Sequence, residues 1–296
     1  MTTTTFSSGL VDTRDKLTAG DFYRDYVNKQ PVLMKGALAG LPAAKKWTVP
    51  YFASLAPDLP IRLKTGDLSQ GQTETTTLAG YSDLIARLED GREVSAVPPY
   101  AHDLPFFSMI PALKADMTPF PVHLLPRFFR KQWPVFPQFF VGPANAMTPL
   151  HFDTLVTHNL FFQLHGSKRF LIADPADRES CYTFNWRWSH VDAENPDFDA
   201  HPLYRNVRVR ECVVEAGDLL YMPPGALHHV RSLSTSISFN IDWHDRRSAV
   251  RGLTAVKNGM PPANLRYNTL FALGVCAGVP LRALMPALRS YFTYIS

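Results

Sequence analysis

Between residues 139 and 242 the chain is written in short apolar or alternating runs separated by turn residues. The runs are FFVG (139–142), LHFD (150–153), NLFFQLHG (159–166), KRFLIAD (168–174), VRVRECVVE (207–215), DLLYMP (218–223), HHVRSL (228–233) and SISFNID (236–242). Each is too short for a buried helix and the right length for a strand, and eight strands at this spacing predict a sandwich or barrel. Two facing sheets with eight strands between them form a jelly roll. The composition agrees. A hydrophobic share of 46% over 296 residues supplies a sizeable core, and 25 prolines against 16 glycines suit a turn-rich β fold better than a helical bundle.

The flanks read differently. Residues 1 to about 15 are expected to form a flexible leader. Thr18 then caps a helix carrying Phe22, Tyr26 and Val27 at helical spacing. Residues 31–36 and 61–65 read as strands, 81–89 as a helix ended by Gly91, and 104–116 as a further helical piece. Residues 182–204, rich in Trp, His, Asp and Pro, interrupt the strand series as a long ordered loop. Within it Trp186, Trp188 and His190 read first as anchors of the loop and second as substrate contacts. Helices are expected at about 264–278 and 281–293, with apolar faces made by Leu270, Leu273, Leu281, Leu284, Leu288 and Tyr291. Such faces either cover the core or pair with a second copy. The fold class is therefore mainly β with flanking α: a double-stranded β-helix core, an N-terminal α/β lead-in and C-terminal helices.

Charge excludes little. A net charge of +4 without a basic run gives no support to nucleic-acid binding. The most apolar stretch, 270–279, is too short to span a bilayer and is cut by Pro280 and Arg282, so no membrane role is expected. Cys181, Cys212 and Cys276 are odd in number and widely spaced. They make no disulfide framework or structural zinc site, and a reducing cytoplasm is the expected compartment.

Chemistry enters at His151-Phe152-Asp153. Alternate residues of a strand share a face, so His151 and Asp153 would point together into the barrel. A third ligand must come from another strand, and His228 and His229 are adjacent candidates. His229 shares its side with Arg231, which prefers solvent, while His228 shares its side with Val230, which prefers the interior. His228 is the better ligand. Two histidines and one carboxylate with open positions form the facial triad of non-haem Fe(II) oxygenases, whereas a structural zinc site is normally closed by four ligands. Between the ligands stands Lys168, on the same side of its run as Phe170 and Ile172, with Arg169 on the other. An ammonium on an apolar face calls for a carboxylate partner.

The blocks NAMTPLHFD, NLFFQLHGSKRF, SHVDAENPDFDAHP, GDLLYMPPGALHHV and SISFNIDW resemble the cupin-like JmjC hydroxylases, among them the asparaginyl hydroxylase that inhibits the hypoxia-inducible factor. The likeness covers about residues 139–243 and extends more weakly to about residue 31. It implies that His151, Asp153 and His228 bind Fe(II). It implies that Lys168 pairs with the distal carboxylate of 2-oxoglutarate, that Thr148 hydrogen-bonds it, and that Asn159 and Asn240 line the same pocket. Tyr100 resembles the family's upstream tyrosine that contacts the co-substrate, and His102 is a weaker match.

The implied activity is hydroxylation of a C–H bond in a peptide or protein side chain, consuming O2 and 2-oxoglutarate and yielding succinate and CO2. Alternatives are N-methyl-lysine demethylation, hydroxylation of a natural product, and a cupin-like binding module without turnover. The chain divides into 1–15 (leader), 16–250 (JmjC/cupin-like catalytic domain) and 251–296 (dimerising or lid helices), and family likeness implies a homodimer. Two departures bear on substrate. The step from Asp153 to Asn159 is longer than in that hydroxylase, and the turn before the distal histidine reads Pro-Gly-Ala-Leu where it has large aromatics.

Overall fold

The computed structural model describes residues 8–66 and 68–294. All eight runs are strands: Gln138–Gly142, Met147–His151, His158–His165, Ser167–Ala173, Val209–Glu215, Leu219–Met222, Leu227–Ser232 and Ser236–Trp243. They fall into two seven-stranded sheets. One is centred on Leu227–Ser232, which pairs antiparallel with both Ser167–Ala173 and Met147–His151, and Ser167–Ala173 pairs in turn with Val209–Glu215. The other is centred on His158–His165, between Leu219–Met222 and Ser236–Trp243. This is the expected jelly roll.

Period-two alternation sorts the side chains. On Ser236–Trp243, Ile237, Phe239, Ile241 and Trp243 join Leu160, Phe162 and Leu164 in the main apolar cluster, which the N-terminal segments and the last helix also enter. Ser238, Asn240 and Asp242 alternate with them. Between the sheets a separate cluster joins Phe161, Phe170, Ile172, Val214, Leu220 and Val230. Aromatic edges lock the outer layer: Phe107 and Phe139 meet with ring centroids 4.9 Å apart at 87°. Burying side chains of this size gives about 1.5–3 kcal/mol each.

The leader expectation needs correction. Ser8–Leu10 pairs in parallel with Val209–Glu215, and Asp12–Arg14 with Val32–Met34. An unpaired sheet edge presents a row of backbone donors and acceptors, and these two strands satisfy it; residues 1–7 lie outside the described residues. The 182–204 loop also carries structure. Thr183–Phe184 and Trp188–Ser189 form a small hairpin, and Trp188 pairs with His151 at the sheet edge. A strand missed in the sequence, Ala101–Leu104, borders Gln138–Gly142.

The two C-terminal helices are Pro262–Ala277 and Leu281–Tyr294. Leu281, Leu284, Leu288 and Tyr291 are buried in this chain's own core, whereas Leu273 is 41% exposed. No described helix is long and apolar enough to cross a membrane.

Gly166 turns the chain from His158–His165 in one sheet into Ser167–Ala173 in the other at φ +67°, and a Cβ there would lie 2.0 Å from the Thr235 carbonyl oxygen. That contact is backbone and cannot swing aside. Gly166→Ala is expected to destabilise the fold by at least about 2 kcal/mol, read as a lower urea midpoint at unchanged slope.

Candidate metal centre and anion slot

The strand Met147–His151 ends at its histidine, so His151 and Asp153 do not lie on one strand as expected. The chain leaves the sheet through a tight turn in which the Val156 amide donates to the Asp153 carbonyl over 2.8 Å. Val156 holds φ +58°, a strained value for a β-branched residue. Phe152 points away into the apolar cluster beneath the insertion, which lets the residues on either side of it converge. One ligand atom from each of His151, Asp153 and His228 lies within 4.8 Å of the others.

Backbone carbonyls aim both imidazoles. His151 Nδ1 lies 2.8 Å from the Pro149 carbonyl and His228 Nδ1 lies 3.1 Å from that of Ala226. Each Nδ1–H donates there, leaving the Nε2 lone pair for a cation. Burial, then the neighbouring His228 and Arg187, holds His151 well below the usual histidine range, so it is neutral at pH 7. Asn159 donates to Asp153 Oδ2 over 3.1 Å and orients the carboxylate. Asn159→Ala is expected to weaken Fe(II) or Mn(II) binding by about 10–100-fold in a metal titration.

His229 was read as the solvent-side neighbour. It does face the other side of the sheet, but it is buried there, with Nε2 3.5 Å from Glu194 of the insertion. In the same insertion, Trp186 is buried and donates from Nε1 to the Thr154 carbonyl over 2.8 Å, Trp188 packs on His151 with ring centroids 5.0 Å apart, and exposed His190 stacks on Phe184. Anchoring is what their contacts describe.

Lys168 is 1% exposed, and its Nζ donates to the Tyr100 hydroxyl over 2.7 Å. The rings of Tyr100, Phe140 and Phe161 lie 5.3–5.4 Å from it. No carboxylate among the described residues offsets the charge, and burial alone pushes its pKa from 10.5 to about 7. Thr148 stands beside it in the same cavity, its Oγ1 3.4 Å from His102 Nε2. His102, pushed down to about 4 by burial, lies 2.8 Å from Asp103, and Lys64 reaches the same carboxylate at 2.9 Å.

One cavity of about 650 Å³, counted with its open mouth, is lined by the triad together with Lys168, Thr148, Tyr100, Asn159 and Asn240. The side-chain oxygens of Asn159 and Asn240 are buried without a hydrogen-bond partner. A lone ammonium, two orphaned amide oxygens and two aimed imidazoles fit a metal bound beside a carboxylate ligand.

The sequence reading missed Asp242, Arg187 and Tyr291, which also line this cavity. Alternation from Asn240 could have found Asp242, whose carboxyl is pushed well up by burial and then by the Asp153 charge. Arg187 and Tyr291 carry no such signal. Tyr100, which the sequence did point to, enters this wall through the space at Gly142, where a Cβ would lie 2.6 Å from its ring.

The family model described as "Cupin-like domain" matches residues 19–249. "Jumonji C domain-containing protein 5" of Drosophila melanogaster is 29% identical over 234 residues, covering 72% of this chain and 54% of its own. "Lysine-specific demethylase JMJ30" of Arabidopsis thaliana is 27% identical over 243 residues, covering 79% and 54%. "Bifunctional peptidase and (3S)-lysyl hydroxylase JMJD7" of Homo sapiens is 27% identical over 263 residues, covering 76% and 80%. The chain thus spans about half the length of the first two.

Proposed function

The chain belongs to the cupin-like JmjC family, and from that premise we propose that it is an Fe(II)- and 2-oxoglutarate-dependent oxygenase that hydroxylates a C–H bond of a peptide or protein side chain. The observation that carries this reading is the buried, uncompensated Lys168 ammonium in the same cavity as the His151–Asp153–His228 cluster. The three ligands would hold Fe(II). Lys168, Tyr100 and Thr148 would hold the distal carboxylate of 2-oxoglutarate. Bound together, iron and 2-oxoglutarate supply O2 activation coupled to decarboxylation, with succinate and CO2 as co-products.

The protein's own part is positional. Pro149 and Ala226 fix the imidazole tautomers, Asn159 orients Asp153, and the aromatic walls around Lys168 keep water from the anion it grips. Arg187, Asp242 and Tyr291 line the rest of the cavity, where a prime substrate would meet them.

The name of the Arabidopsis relative favours a second reading, demethylation of N-methyl-lysine by the same chemistry. Mass spectrometry of a peptide library incubated with Fe(II), 2-oxoglutarate and air separates the two. A product heavier by one oxygen atom supports hydroxylation, and formaldehyde from methyl-lysine peptides supports demethylation. Succinate that never forms, with or without peptide, would leave only a binding module. The reading includes a homodimer formed on the outward faces of the C-terminal helices, tested by sedimentation of the full chain, and a cytoplasmic location, in keeping with three cysteines that form no disulfide.

A further inference from the structure

A second cavity opens behind the metal-binding segments. Phe152, which lies between two of the ligands, forms part of its wall, as do Val156 and Gly225. Two arginines, Arg178 and Arg251, are among its lining residues, and no acidic residue is. Arg178 is fixed in place. It lies over the rings of Phe152 at 4.9 Å and Trp186 at 4.4 Å, and its Nη2 donates to the Trp186 carbonyl over 2.9 Å. Neither arginine makes an ion pair with a described residue, although the arginines at 169, 210 and 231 all do. Burial alone acts on Arg178, which is held below its ordinary value with no carboxylate to offset it.

We propose that this cavity is a binding site for an oxyanion, the phosphate or carboxylate group of a small molecule, held between Arg178 and Arg251. Guanidinium forks match such oxygens in charge and in planar geometry, and a half-buried arginine without a counter-ion is the group that gains most from one. The cavity is separate from the Lys168 slot, since none of its lining residues lines the slot. Its walls are nevertheless the backs of the metal site. Val156 donates its amide to the Asp153 carbonyl, and Gly225 adjoins Ala226, whose carbonyl orients His228. An occupant would therefore brace both ligand-bearing turns from behind.

The test is thermal melting of the full chain with inorganic phosphate or acetate, against chloride at equal ionic strength. Phosphate is expected to raise the Tm in a saturable way, with acetate weaker if the site favours the doubly charged ion. Arg251 is exposed and its side chain makes no hydrogen bond or ion pair among the described contacts, so Arg251→Gln should fold normally and weaken the phosphate effect about tenfold. In Lys168→Met, which removes the other anion slot, an Arg251-dependent phosphate effect should remain. If phosphate and acetate do no more than chloride, the proposal fails. It also fails if the effect survives Arg251→Gln undiminished, or if Lys168→Met removes it, which would place the anion in the Lys168 slot. None of these outcomes depends on oxygenase activity, so the proposed function stands or falls separately.

Discussion

Replacing His151 by Ala is expected to reduce succinate formation from 2-oxoglutarate by at least about a hundredfold while leaving the protein folded. His151 is one of the three side chains grouped among the described residues so that they could hold an ion, and its Nδ1–H is committed to the Pro149 carbonyl, so the Nε2 lone pair would be its one contribution to the centre. Removing it leaves one imidazole and one carboxylate, which cannot hold a ferrous ion against water. Because His151 is buried and neutral rather than ion-paired, the loss leaves no orphaned charge, and the melting temperature of the metal-free variant should stay near that of the parent. Metal titration and succinate yield measured side by side check this. A variant that still turns over 2-oxoglutarate at the parental rate would show that the triad is not the iron site.

Lys168→Met should have the second-largest effect and a sign that depends on the ligand. With the ammonium gone, the KM for 2-oxoglutarate is expected to rise about a hundredfold with a smaller change in kcat, since a buried charge-assisted contact far from the reacting atoms contributes mainly to binding. In the absence of 2-oxoglutarate the same variant should be more stable than the parent. Burial lowers the Lys168 pKa from 10.5 to about 7 in the folded chain, so below about pH 7 the fold carries a penalty for a lone buried ammonium. Between about pH 7 and pH 10 the unfolded chain binds the proton and the folded chain does not, so parental stability rises with pH across that window, by about 5 kcal/mol at the upper limit. The slope should vanish in Lys168→Met and flatten when saturating 2-oxoglutarate supplies the missing counter-charge. Urea melts at several pH values, with and without 2-oxoglutarate, read all three arms. A pH-independent parent would mean that the lysine reaches solvent.

Much of the site was legible because the core strands obey period two. Lys168, Phe170 and Ile172 share the inner face as their spacing required, and Asn159 and Asn240 face the cavity that the triad lines. The alternation argument for His151 and Asp153 named two residues that do converge, but by the wrong geometry. The strand stops at His151, and a strained turn at Val156, with Phe152 packed backward, brings the carboxylate round. His229 was legible as facing away from the cavity but not as buried, since Glu194, which covers it, comes from an insertion with no periodicity to read. The leader failed for a similar reason. Ser8–Leu10 and Asp12–Arg14 are strands only because two sheet edges offer them backbone partners.

Local pattern alone determined the eight strands, the sorting of their faces and the residue types able to bind a cation and an anion, because each follows from neighbours a few positions apart in the chain. Tertiary structure decided which distant groups meet. It brought the Tyr100 hydroxyl to Lys168 by way of the space left at Gly142, placed Tyr291 of the last helix in the cavity wall, and left Arg178 and Arg251 around a second cavity without a carboxylate. Those encounters depend on register and on close approach between segments far apart in sequence, which no local periodicity encodes.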